Sequence, residues 1–214
     1  MNKDTNRIIR IIRPLWLYLS LGLMFYSLLN LTPPGYLQDL DLMKIQGFSI
    51  NLLYGISIGL LYIAVGIILF NRNSKWRKSM EFLVGKGLTK GNTGILAIIS
   101  LVASIWEESF TRGFVLVLFS KNYSSFIFMA LILNVLWTLS HLFNNQDDLA
   151  NSFTATFKQA TPHMIIIFIS GIPWYFITLA TGSIIPAIVS HFLLDFGIGL
   201  FYRKQLIKRN TPIC

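Results

Sequence analysis

Apolar runs near twenty residues recur along this chain, and few folds accept that pattern. They cover about Leu15–Leu31, Phe48–Phe70, Thr93–Phe119, Ser124–Phe143, Pro162–Ala180 and Ile184–Tyr202. About twenty apolar residues in a helix cross the hydrocarbon layer of a bilayer. Backbone polar groups in that layer must be satisfied internally, which favours helices. The chain therefore reads as all-α, a polytopic transmembrane helical bundle of about six transmembrane helices. Only 13% of its residues are charged, against 54% hydrophobic. Soluble domains carry about 25% charged residues, so a water-facing surface is not available here. Nearly every residue belongs to the bundle, and residues 1–214 read as one membrane domain.

The formal net charge is +9. Its distribution argues against a nucleic-acid partner. Lys3, Arg7, Arg10 and Arg13 precede the first run, and Arg72, Lys75, Arg77, Lys78, Lys86 and Lys90 follow the second. Arg203, Lys204, Lys208 and Arg209 follow the last. Lys and Arg gather on cytoplasmic flanks. Six crossings put all three basic stretches on that side, with both termini cytoplasmic. The lipid bilayer is thus one expected partner. Trp76 to Val84 reads either as an amphipathic piece on the membrane surface or as part of an ordinary cytoplasmic loop.

Local signals refine the runs. Pro14 suits a first helical turn, and Pro33, Pro34 and Gly35 stop the first helix. Thr32-Pro33-Pro34-Gly35 is a poor cleavage site, so the first helix is read as retained. Thr181-Gly182-Ser183 makes a tight turn between the last two runs. His163, beside Pro162, reads as an interfacial residue at a helix start. The third run, interrupted by charges, is either one tilted helix or two half-helices. Cys214 is the single cysteine and has no intrachain disulfide partner.

Titratable residues inside such runs are costly, and function is the default explanation for them. Three groups stand out. Glu108 and Arg112 are four apart, share a helix face and can pair. Glu107 is rotated by roughly 100° from Glu108 and lacks that partner, leaving a carboxylate free to face a cavity as a general base. His141 lies near the end of its helix, four residues after Trp137. His191 and Asp195 are again four apart. Asp195 can hold the imidazole in one tautomer, or both can face a reacting carbonyl, or both can ligate a metal. A carboxylate and two histidines on three helices suit water activation, with an oxyanion stabilised opposite. Zinc is the metal these residue types favour, with Glu107, His141, His191 and Asp195 as candidate ligands. No His-Glu-x-x-His motif and no phosphate-binding glycine loop occurs.

Glu107-Glu108-x-x-x-Arg112-Gly113 resembles the first motif of the membrane-embedded CAAX protease and bacteriocin-processing family, also called the Abi family. Trp137-x-x-x-His141 is similar to its second motif, where the aromatic is usually Phe. Gly182 to Asp195 resembles its last motif, a His followed four residues on by, usually, an Asn. The likeness spans about Ala97 to Gly197, with a protease-like motif region over approximately 93–202. It implies an intramembrane endopeptidase acting on a peptide or membrane-protein substrate. Glu107 and His141 would activate water, His191 and Asp195 would polarise the scissile carbonyl, and Glu108 and Arg112 would support the site. The mechanism is metal-free, or uses one divalent ion. Trp137 for Phe reads as a change of pocket size. Asp195 for Asn matters more, since an ionised carboxylate repels an oxyanion but suits a metal. Compact size and the many Lys, Ile and Asn residues point to a bacterial cell membrane. Bacteriocin or signal-peptide maturation and self-immunity are the roles implied there. The alternatives are a non-proteolytic immunity or regulatory scaffold and, third, a proton-relaying transporter.

Overall fold

A computed structural model describes residues 3–31, 45–83, 92–145 and 152–210 of the chain. These residues form helices and contain no strand. In order they are α1 (Lys3–Leu31), α2 (Ile45–Arg72), α3 (Ser74–Leu83) and α4 (Thr93–Glu108). A π-helical turn (Ser109–Gly113) leads into α5 (Phe114–Phe119). Then come α6 (Tyr123–Ser140), a 3₁₀ turn (His141–Asn145), α7 (Phe153–Thr181) and α8 (Ile185–Asn210). The expected stop at Thr32–Gly35, the acids Asp39, Asp41, Asp147 and Asp148, and Lys44, Lys86, Lys90 and Cys214 lie outside the described residues.

Among the described residues, five helical stretches are long and apolar enough to cross a membrane: Phe48–Arg72, Thr93–Phe119, Tyr123–Phe143, Phe153–Thr181 and Ile185–Gln205. The apolar stretch of α1, Ile11–Ser27, is shorter. Large apolar side chains cover the outside. Leu53, Leu60, Leu61 and Ile68 of α2 and Ile98 and Val102 of α4 are exposed. Such a surface is at home in hydrocarbon, where its burial needs no protein partner.

The core carries the unusual residues. Glu108, Arg112, Ser104, Ser109 and Thr111 are fully buried. α8 lies against α2 at Gly55 and Gly59, where an added Cβ would meet Val189 Cβ at 2.7 Å and Leu193 Cβ at 2.8 Å. Small residues allow backbones in a bilayer to approach this closely. That contact fixes the part of α8 that carries His191 and Asp195.

Three expectations are corrected by the structure, and one left open is decided. Of the two alternatives for the third run, the structure has the single helical stretch, Thr93–Phe119, with the π turn absorbed at Ser109–Gly113. Pro14 sits inside α1, which already begins at Lys3. α7 starts at Phe153, capped by the Ser152 hydroxyl, so Pro162 and Pro173 both lie inside it. His163 is accordingly within a helix rather than at its start. The reason is visible at α3: the Ser79 hydroxyl accepts from the His163 N–H at 3.0 Å and donates to the Ala160 carbonyl at 2.8 Å. One hydroxyl thereby bridges the turn that Pro162 interrupts. α3 is amphipathic, and its apolar side packs on the bundle: Trp76 and Met80 meet Phe70, Ile198 and Tyr202, Leu83 meets Ala160 and Met164, and Lys75 and Lys78 are exposed, while Val84 lies outside the described residues. The turn before α8 is built as read: Gly182 caps α7 with φ 62°, a left-handed conformation that glycine adopts without strain.

Candidate active site

The site is assembled where α4 with its π turn, α6, α7 and α8 meet. Its base is a buried ion pair. Glu108 Oε1 lies 3.3 Å from Arg112 Nη1, and both side chains are 0% exposed. A buried guanidinium needs more than one partner. Arg112 donates to Thr111 Oγ1 (2.8 Å), Asn134 Oδ1 (3.4 Å) and the Gly171 carbonyl (3.4 Å). Its remaining surface is covered by aromatic faces, with Cζ 4.5 Å from the Trp137 ring centroid, 4.6 Å from Tyr175 and 5.2 Å from Trp174. Cation–π attraction of this kind strengthens when the site is desolvated.

The same Glu108 oxygen accepts from His191 Nδ1 at 2.8 Å. The carboxylate that orients His191 is therefore Glu108, 83 residues away in sequence, and not Asp195. Asp195 is on the other edge of the ring, its Oδ2 3.6 Å from Nε2. Glu107 Oε2 is 3.9 Å from that same Nε2. Two carboxylates thus face one imidazole nitrogen, each just beyond direct hydrogen-bond reach. A water or substrate oxygen fits such spacings. Glu107 and Asp195 are the accessible members, with side chains 26% and 38% exposed, whereas His191 is 5% exposed.

Glu107 is not free. Its Oε2 accepts a short hydrogen bond from Trp137 Nε1. Trp137 in place of Phe is therefore a chemical change, because a phenyl ring has no N–H to give. The Trp137 carbonyl accepts from His141 Nδ1 at 2.9 Å, and the two rings meet edge-on at 5.2 Å. In their neutral forms both histidines thus have Nδ1–H engaged and Nε2 available to accept. The structure brings Glu107, Glu108, Arg112, His191 and Asp195 into one cluster. His141 joins it through Trp137, and among the described residues it makes no direct bond to the others.

Three contributors escaped the sequence reading. Trp174 stacks on His191 at 4.7 Å with an interplanar angle of 21°. Tyr62 donates to the Ser170 carbonyl at 2.8 Å and packs edge-on against Trp174. Asn134 donates to the Phe168 carbonyl at 2.8 Å while accepting from Arg112. With Arg112 on Gly171, these donors meet the α7 backbone just before Pro173. An amide inside an apolar run was the available signal for Asn134; Tyr62 and Trp174 resemble any membrane aromatic.

A cavity of about 330 Å³ opens beside the cluster, between α2, α3, α7 and α8. His191, Asp195 and Trp137 form part of its wall, and aliphatic and aromatic side chains form most of the rest. Among the described residues no three His, Cys, Asp or Glu side chains are grouped as metal ligands. Glu107, His191 and Asp195 offer the donor types zinc takes, and Glu108 on His191 Nδ1 is the kind of outer contact that orients a ligating histidine. Trp137 already occupies one of the Glu107 oxygens, and His141 stands apart. As arranged, the residues therefore do not form a metal-ligand set.

A polytopic membrane helical bundle with a glutamate–histidine cluster buried in its core and an apolar cavity beside it defines a class of intramembrane protein built for polar chemistry. Within that class, residues 89–197 match the family model described as Type II CAAX prenyl endopeptidase Rce1-like. The match covers half of the chain, which belongs to this CAAX protease and Abi family. No match was found among curated proteins. None was found among solved structures.

Proposed function

We propose that the protein is an intramembrane endopeptidase that hydrolyses a peptide bond in a membrane-associated protein or peptide. The observation that carries this reading is the convergence on His191 Nε2 of Glu107 at 3.9 Å and Asp195 at 3.6 Å, beside an apolar cavity, with Glu108 holding the opposite nitrogen. Family membership supports it.

In this mechanism water binds between Glu107 and the histidines. Glu107 takes a proton, and the resulting hydroxide attacks the scissile carbonyl carbon. His141, with Nε2 free to accept, orients that water. His191, carrying a proton on Nε2 as well as the one given to Glu108, donates to the developing oxyanion. Asp195 then offsets the imidazolium charge rather than facing the oxyanion, which suits a carboxylate where most relatives have an amide. Glu107 returns its proton to the departing amine as the C–N bond breaks. The favoured mechanism is metal-free. The alternative with one divalent ion would require Glu107 to leave Trp137 and the side chains to regroup from the arrangement described, and metal analysis of active protein distinguishes the two. The proposed setting is a bacterial cell membrane, with peptide maturation or self-immunity as the role.

The test compares purified wild type and Glu107→Gln, in micelles, on a membrane-protein fraction from the host, reading new N-termini by mass spectrometry. General-base removal should lower cleavage by roughly 10²- to 10⁴-fold with folded yield unchanged. Equal cleavage by the variant would defeat this mechanism. No cleavage by wild type, with host phenotype preserved by the variant, would favour a non-proteolytic scaffold.

A further inference from the structure

Asp195 stands near the middle of the α8 span, Ile185–Gln205, on the wall of the cavity. Its side chain is 38% exposed, so a group in the cavity can reach it. Its Oδ2 stays 3.6 Å from His191 Nε2, beyond a direct hydrogen bond. The charges of the cluster do not balance. Arg112 neutralises Glu108 at the buried base, and His191 lies between Glu107 and Asp195. Even with His191 as an imidazolium, three carboxylates meet two cations, and one negative charge is left over among these residues. Ionised groups at membrane depth pair with one another or face a cavity, and an unpaired one is costly. No Lys or Arg is among the residues of the wall. Leu61, Val65, Leu194 and Ile198 belong to the same wall. A long side chain with an apolar stem and a cationic tip matches this combination, its methylenes on aliphatic surface and its charge on a carboxylate.

We propose that Asp195 makes this cavity selective for a lysine or arginine side chain carried by an otherwise apolar peptide. The methylenes of that side chain lie against the aliphatic wall, and its ammonium or guanidinium donates to Asp195. That the peptide is then cut rests on the endopeptidase reading; the selectivity itself does not. His191 keeps its place between Glu107 and Asp195, and the arriving cation supplies the one positive charge the cluster lacks. An uncharged side chain of the same length fills the cavity but leaves that charge unmet, and an anionic one adds to it. A cavity of about 330 Å³ is at the small end of the ~300–1,000 Å³ of ligand sites, which suits one long side chain and its adjoining backbone.

The experiment measures equilibrium binding of acetyl-Leu-Leu-Lys-Leu-Leu-amide to the full chain in nonionic micelles by calorimetry, with empty micelles as the blank. Companion peptides carry norleucine or glutamate in place of the lysine. Wild type should bind the lysine peptide roughly tenfold tighter than the norleucine peptide, the size of one hydrogen bond to a charged group, and the glutamate peptide most weakly. Asp195→Asn, which keeps the size and removes the charge, should abolish the preference while both peptides still bind. The wild-type comparison needs no variant, so it stands even if Asp195→Asn does not fold. Equal affinity of wild type for the lysine and norleucine peptides overturns the proposal, as does a lysine preference that survives in Asp195→Asn. A tenfold gain from a free amino terminus on the norleucine peptide, with none from lysine, would put the cation at a chain end and overturn the side-chain assignment. Cleavage is scored separately on the same peptides. Lysine preference without cleavage defeats the endopeptidase reading alone, and cleavage without preference defeats the selectivity alone.

Discussion

Glu108 shares a single oxygen between Arg112 and His191, and this makes it the pivot of the site. Arg112→Ala would leave that carboxylate buried opposite no cation. Breaking a buried pair in this way costs about 3–5 kcal/mol, so folded yield and thermal stability in detergent should both fall. Arg112→Lys should rescue little, because an ammonium reproduces neither the forked donors nor the stacking on Trp137, Trp174 and Tyr175. Normal melting of either variant would contradict the ion-pair account. Trp137 is the residue on which sequence reasoning was most incomplete. Trp137→Phe should lower kcat by roughly tenfold with KM nearly unchanged, since a hydrogen bond to a charged group contributes about 1.5–3 kcal/mol. Steady-state kinetics on an identified substrate reads this directly; an unaltered kcat would reduce the Trp137 N–H to a packing detail.

At the scale of elements, the fold depends on side chains that mend interrupted helices. α7 contains two prolines, and donors from other helices reach its backbone near both. Ser79 bridges Ala160 and His163 around Pro162, while Tyr62, Asn134 and Arg112 serve carbonyls before Pro173. Ser79→Ala removes the bridge and should destabilise the bundle by about 1–3 kcal/mol. Hydrogen exchange at the His163 amide should accelerate in parallel, and an unchanged exchange rate would refute the bridging role. The i,i+4 spacing of Glu108 and Arg112 was legible because helical geometry alone brings them together. The same spacing suggested Asp195 as the partner that orients His191. Glu108 holds that place instead, because α4 and α8 bring its oxygen to Nδ1. Pro162 misled for a related reason: local preference puts proline in a first turn, and a hydroxyl from α3 overrode it.

For the whole molecule, the arrangement of charge makes the sharpest forecast. Basic residues flank the first, second and last apolar runs, so both ends of the chain should face one side. Cys214, the single cysteine, is a built-in probe of one end, and Lys3→Cys in a Cys214→Ser background probes the other. An impermeant maleimide added to sealed vesicles should label both from the cytoplasmic face. Labelling from opposite faces would mean an odd number of crossings, and α1, with the shortest apolar stretch, would be the first helix to reconsider.

Period, length and spacing along one chain determined the membrane-spanning helical character, the basic flanks and the set of residues too costly to bury without purpose. Those properties depend on neighbours within a few turns, so they can be read from order alone. Which nitrogen of His191 meets which carboxylate, the indole hand on Glu107, the removal of His163 from an interface to a cavity wall, and the cavity itself were decided only by packing. Each joins residues tens of positions apart, where the gain from pairing a buried polar group exceeds any local preference.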